Sequence, residues 1–321
     1  MVGQAITLAA FVSHKNAPLL PHGTAWARTQ LNVATKQPWG KLGYTYRSDY
    51  RLTFNKAAAL FYHEISSGKT VSDGLNPAFL QAWHLEAQGV FFEHTWPVGE
   101  YGFVRPRLNL LRGTNTQSGR LDGVLGAEDG ELAGHLDIDY LFTRDLLLDY
   151  QTKAVPAGYG YGFDFVVGWD SPERYVALAI EDVVGFLDWR NISYTQGKLD
   201  SFRQNSSDSM QLQALLSGKR GEQHHKQRLL SYKKFDYLER FEGYSLGLQL
   251  ESFAHKYWYQ QKLYKHLKST NIFIGYEGRD RQWLIGWQEA QGRWGIEYGA
   301  DHWQIKKSQS LSLLMHYHWR W

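Results

Sequence analysis

The sequence predicts an all-β fold, a single transmembrane antiparallel β-barrel of about 14 strands within a range of about 12 to 16. Three observations predict it. Apolar and polar residues alternate with a period of two over much of the chain. The apolar mass is aromatic, with 13 Trp, 20 Tyr and 16 Phe. No run approaches the ~18 apolar residues of a membrane-spanning helix.

The chain has 321 residues, read as one barrel over residues 1–321. Hydrophobic residues make up 43%, yet mean hydropathy is -0.47. A soluble sandwich or propeller would fill its core with Leu, Ile and Val. Amphipathic rings scattered among polar residues suit a thin wall between lipid and water. The absence of Cys excludes a disulfide framework and thiolate metal sites. A net charge of +3 is too small to argue for nucleic acid. The early apolar stretch Ala5 to Val12 lacks the charged and small-residue flanks of a signal peptide, and reads as a strand of the mature chain.

The strand signals follow in order. Leu121, Gly123, Leu125 and Ala127 alternate with Arg120, Asp122 and Glu128. A Glu128-Asp129-Gly130 turn leads to Leu132, Gly134, Leu136, Ile138, Tyr140 and Phe142, which oppose His135, Asp137 and Asp139. Tyr159, Tyr161, Phe163, Phe165 and Val167 oppose Gly160, Gly162 and Asp164. Tyr244, Leu246, Leu248 and Leu250 oppose Ser245, Gly247, Gln249 and Glu251. Ile272, Ile274, Trp283, Ile285, Trp294 and Ile296 continue the pattern toward the end. Two segments break it and are expected as long loops. Residues 56–77 include a short helix-compatible run, Ala57 to Phe61. Residues 206–234 are polar and basic, and the stretch Lys219 to Lys234 is expected as a solvated loop, with contact to lipopolysaccharide phosphates as the alternative.

The chain ends in Leu311-Ser312-Leu313-Leu314-Met315-His316-Tyr317-His318-Trp319-Arg320-Trp321. This alternating strand with a terminal aromatic resembles the C-terminal signal strand of Gram-negative outer-membrane β-barrel proteins, with Trp321 where Phe is usual. Gly160-Tyr161-Gly162-Phe163-Asp164 together with the run from Glu181 to Trp189 resembles strand pairs of FadL-type barrels. The class resemblance implies an outer-membrane location, contact with outer-membrane lipid and lipopolysaccharide, and recognition of Tyr317, Trp319 and Trp321 by the barrel-assembly machinery.

If the apolar faces meet lipid, the opposite faces line the interior. These carry His84, Glu86, Arg105, Arg107, Asn109, Arg120, Asp122, His135, Asp137, Asp139, Asp164, Glu181, Glu251, Arg293 and Glu297. Arg105, Arg107 and Arg120 would form a basic ladder facing an acidic wall from Asp137 and Asp139, which sets solute selectivity. The alternative is a plugged interior where these charges pair with one another. His224-His225 and His316/His318 are pairs, short of the three ligands a metal needs. No local motif surrounds any Ser, so no catalytic residue, metal or cofactor is assigned. The expected function is a porin-like channel for small polar or charged solutes. Two alternatives stand beside it. One is an export or assembly component working with a periplasmic or secretion partner. The other is a barrel-embedded hydrolase, which requires a Ser or Asp beside a His at the wall.

Overall fold

The computed structural model describes residues 2–3, 23–66, 70–128, 131–145, 156–204, 212–278, 281–290, 294–300 and 311–317. They form one 17-stranded sheet, closed into a barrel, and one helix. The strands are β1 (Val2–Gly3), β2 (Gly23–Gln37), β3 (Gly40–Phe54), β4 (Asn76–Glu93), β5 (Trp96–Val98), β6 (Gly102–Glu128), β7 (Glu131–Phe142), β8 (Gly158–Asp170) and β9 (Arg174–Gln204). There follow β10 (Leu212–Arg228), β11 (Tyr232–Phe241), β12 (Tyr244–Phe253), β13 (Lys256–His266), β14 (Thr270–Glu277), β15 (Gln282–Glu289), β16 (Trp294–Ala300) and β17 (Leu311–Tyr317). Every registered pairing is antiparallel. The sheet order sets β17 beside β2, and β1 also pairs with β2. The expected match of Ile6, Leu8, Ala10 and Val12 to the final strand lies outside the described residues.

Two strands are far longer than the rest. One edge of β6 carries β8 along Gly102–Gly113 and β7 along Gln117–Glu128. Its other edge carries β4 and β5. One edge of β9 pairs β8 and then β7, and the other pairs β11 and then β10. Thus β7 and β8 share a lane, as do β10 and β11, and β4 and β5. One rim carries the short turns after β2, β8, β11, β13 and β15. The opposite end carries the helix α1 (Lys56–Ser66), the extended hairpins and the short connections after β12 and β14. Asn55 caps α1, its Oδ1 accepting from the Ala58 amide at 3.1 Å. Phe61 and Ile65 then pack on Val71, Ala127 and Leu132.

The expectation of a loop over 206–234 is corrected. Residues 212–228 are β10, laddered on β9, and β11 begins at Tyr232. Most of β10 from Lys219 to Lys226 is exposed, so its faces do not differ in polarity and no alternation marks it. Residues 56–77 hold α1 and the start of β4.

The inner face is identified by contacts between strands that are not neighbours. Trp26 of β2 stacks on Trp258 of β13 at 4.9 Å and meets Phe253 of β12 at 5.3 Å. Thr116 of β6 bonds Gln227 of β10 at 3.1 Å. Such contacts cross the interior. The opposite face is strongly apolar yet exposed, with Val90, Phe92, Leu108, Leu110, Tyr161, Ile274, Trp283 and Ile285 among its residues.

Trp83, Leu85, Ala87, Leu111, Leu187, Trp189, Ile192 and Leu229 form an apolar layer inside. This corrects β4. The residues expected inside, His84 and Glu86, share the opposite face with Tyr50, while Trp83, Leu85 and Ala87 point in. Trp189 lies against two glycines. A Cβ on Gly113 would sit 2.6 Å from its ring, and one on Gly158 would sit 2.7 Å from it. Its Nε1 donates to Gln227 at 2.9 Å. Gly158→Val should therefore destabilise the barrel by about 1–3 kcal/mol through overpacking. A lowered urea midpoint of refolded protein would register this. An unchanged midpoint would mean that Trp189 has another place to go.

Candidate functional site in the barrel interior

Three arginines and four carboxylates gather on the inner face. Along β2 and β3, alternation turns Trp26 and Arg28, and Thr45, Arg47 and Asp49, inward together. On β9 a local irregularity aims a further strand at them. The ladder joins Phe163 to Val184 and Phe165 to Ile180, so Glu181, Asp182 and Val183 face only Asp164. Asp182 adopts φ 52, a left-handed conformation uncommon outside glycine. Bulges of this kind re-aim side chains. Here the bulge sends Asp182 across the interior to Arg47.

The geometry is tight. Arg47 Nη1 donates to Asp182 Oδ2 at 2.6 Å, and its Nε to Asp49 Oδ2 at 3.0 Å. Arg28 pairs with Glu181 and lies 3.8 Å from Asp49. The Asp182 amide donates to Asp164 Oδ1 at 2.8 Å, while Asn109 Nδ2 donates to Asp164 Oδ2 at 2.8 Å. Arg107 donates to Asn109 at 2.8 Å and to Asn32 of β2 at 2.8 Å, and its guanidinium lies 3.6 Å from the Phe91 ring centroid. Arg28 sits 4.7 Å over Tyr232. Side-chain exposure is 6% for Arg28 and Arg47, 0% for Asp49 and 1% for Asp182, so these four are closed off from water, while Glu181 keeps 31%. Arg28 Nη1, Asp49 Oδ1 and Asp182 Oδ1 are buried without a hydrogen-bond partner.

The seven residues expected to set selectivity share one face through the register. Arg107 stands opposite Asp164, Arg120 opposite Asp139, Asp122 opposite Asp137, and Val124 opposite His135. A bulge at Thr114 restores phase between the two halves of β6. They do not form one ladder against one wall. Arg107 belongs to the buried cluster. Arg105 sits toward the short-turn rim, with its Nε 3.1 Å from Thr95 Oγ1 and 4.0 Å from Glu93. Arg120, Asp122, His135, Asp137 and Asp139 are exposed, roughly 40–55 Å further along the strands at about 3.3 Å per residue. The reason is topological. The partner of Arg107 is β8, and β7 meets only the far half of β6.

The faces of β7 also depart from expectation. Leu136, Ile138, Tyr140 and Phe142 are buried with Leu199. Tyr317 lies in β17 opposite Trp294 at the short-turn rim. Trp319 and Trp321 lie outside the described residues. Alternation had placed Asp164 and Glu181 inward. It missed Arg28, Arg47 and Asp49, whose strands were not read, and Asp182, which only the bulge turns inward. Among the described residues no group of three or more His, Asp or Glu side chains could hold a metal ion. No protein-family model, curated protein or solved structure matches this chain.

Proposed function

We propose that the protein is an outer-membrane β-barrel whose interior is a narrow, gated conduit for small polar or charged solutes. Three pairs of the 17 strands share a lane, and β1 and β17 both stand against β2, which leaves 13 or 14 staves, within the size range of such barrels. The exposed apolar face supports a lipid-facing wall, because soluble monomers rarely expose so extensive an apolar surface. The short-turn rim then faces the periplasm and α1 the exterior.

The observation that carries the conduit reading is the Arg28–Arg47–Arg107 cluster with its four carboxylates. A closed interior is more cheaply filled with apolar side chains, since desolvating ion pairs often exceeds their Coulomb gain. These charges are delivered by side chains from five staves. They can part without breaking a ladder hydrogen bond. Four carboxylates against three guanidiniums favour cations once the cluster opens. Arg107→Gln keeps hydrogen-bonding capacity toward Asn32 and Asn109 and removes one positive charge. In planar bilayers the variant should conduct more often than the parent and with stronger cation preference. Silence of both proteins across salts and voltages would sink the conduit reading.

A further inference from the structure

Near the short-turn rim, three polar side chains stand in a line. Ser245 Oγ lies 2.6 Å from His266 Nε2, and His266 Nδ1 lies 2.8 Å from Asn271 Oδ1. They come from the consecutive strands β12, β13 and β14, with His266 directly opposite Asn271 in the ladder. Their inward phase is the one shared by Phe253, Trp258 and Phe273. The Asn271 carbonyl oxygen can only accept, so Nδ1 of His266 carries the proton. Nε2 is then left with a lone pair aimed at the serine hydroxyl. This is the order nucleophile, base and orienting group.

A second observation points to a ligand. The outer wall of β12–β16 holds an apolar groove of about 720 Å³, lined by Tyr244, Leu263, Lys265, Ile272, Ile274 and Ile285, among others. Tyr244, Lys265 and Ile272 are the chain neighbours of Ser245, His266 and Asn271. They also form one cross-strand rank. The groove and the three polar side chains therefore lie back to back across one thickness of wall, one residue step apart. Lys265 sits 5.7 Å over the Tyr244 ring. A cation at the rim end of an apolar groove suits an amphiphile with a long chain and an anionic head.

We infer that Ser245, His266 and Asn271 form a serine-hydrolase site for carboxylic esters of long-chain lipids, with the chain in the outer groove and the ester drawn over the rim. Ser245 Oγ attacks the ester carbonyl carbon while His266 Nε2 takes its proton. The C–O bond to the alcohol breaks, and the imidazolium returns that proton to the leaving oxygen. Water, deprotonated by the same nitrogen, then attacks the acyl-serine, releasing the fatty acid and restoring the hydroxyl. Ser245 is buried and His266 exposed, so the ester approaches from the imidazole side. Asn271 is a positioning residue that holds the tautomer.

The test uses the whole chain refolded in detergent micelles, with a fluorophosphonate probe, p-nitrophenyl laurate and p-nitrophenyl acetate. The probe should mark the Ser245 peptide by mass spectrometry, and laurate should turn over about tenfold faster than acetate. Ser245→Ala and His266→Ala should each cost about 10³-fold while keeping the folded barrel's heat-modifiable migration. Asn271→Ala should slow turnover about tenfold and move the acidic limb of the pH profile, and Asn271→Asp should restore the rate. Ile285→Trp, which fills the groove, should lower the laurate-to-acetate rate ratio. A folded barrel with neither adduct nor turnover overturns the site. Equal laurate and acetate rates overturn the lipid substrate.

Discussion

Replacing Arg47 with Ala should cost the barrel about 3–5 kcal/mol, because the change leaves two buried carboxylates without their cation. Asp49 and Asp182 are 0% and 1% exposed, and Arg47 bonds both. Arg28 is the nearest other cation to Asp49, at 3.8 Å, and it is already engaged with Glu181. The urea midpoint of the refolded protein measures the loss. The triple variant Arg47→Met, Asp49→Leu, Asp182→Leu should recover most of it, since an apolar replacement of a buried ion cluster is often neutral or better. If Arg47→Ala alone leaves the midpoint in place, the cluster is hydrated in solution and the interior at this level is open. The triple variant should also abolish conductance, which separates the functional role of these charges from their structural one.

Replacing Leu110 with Arg should cost about 2–4 kcal/mol in phospholipid vesicles, the penalty of a cation on the lipid side near the midplane of a barrel wall. Leu110 is 55% exposed, between Val90 of β4 at 51% and Tyr161 of β8 at 38%. In water such a position would accept Arg within about 0.5 kcal/mol. Asp137→Arg supplies the comparison. Asp137 is exposed on the extended hairpins, so its replacement should be close to neutral in the same vesicles. Equal urea midpoints for the two variants would remove the lipid-facing wall, and with it the outer-membrane assignment. A selective loss at Leu110 would place the lipid boundary below the level of β7.

Much of the wall was legible because a period of two is a local property. Alternation in β12 needs no tertiary contact to be seen: Tyr244, Leu246 and Leu250 stand on one face and Ser245 and Phe253 on the other, as adjacent residues in any strand must. Which face is inside is a different matter. In β12 the apolar face is outward. In β4 the inward set is Trp83, Leu85 and Ala87, although His84 and Glu86 are the polar residues. The inversion arises because the barrel closes its own interior with an apolar layer, a packing decision made across strands far apart in sequence.

The candidate sites divide along the same line. Asp164 and Glu181 could be placed inward from alternation within their own strands. Asp182 could not, since its direction depends on a bulge, and a bulge shifts the phase that the reading relies on. Ser245, His266 and Asn271 are spread over 27 residues with ordinary neighbours, and the two hydrogen bonds that relate them exist only after three strands pair.

Composition and periodicity by themselves determined that this protein is all-β, with one apolar and one polar face to many strands. Backbone geometry forces that much, because successive side chains leave a strand on opposite sides. Register, lane sharing and closure were decided only in the tertiary structure. They set Arg107 against Asp164 instead of the distant Asp137 and Asp139, and they turned 212–228 into a strand. The physical reason is that strand partners are chosen by matching whole ladders of backbone hydrogen bonds and the side chains between them, and no single strand carries that information.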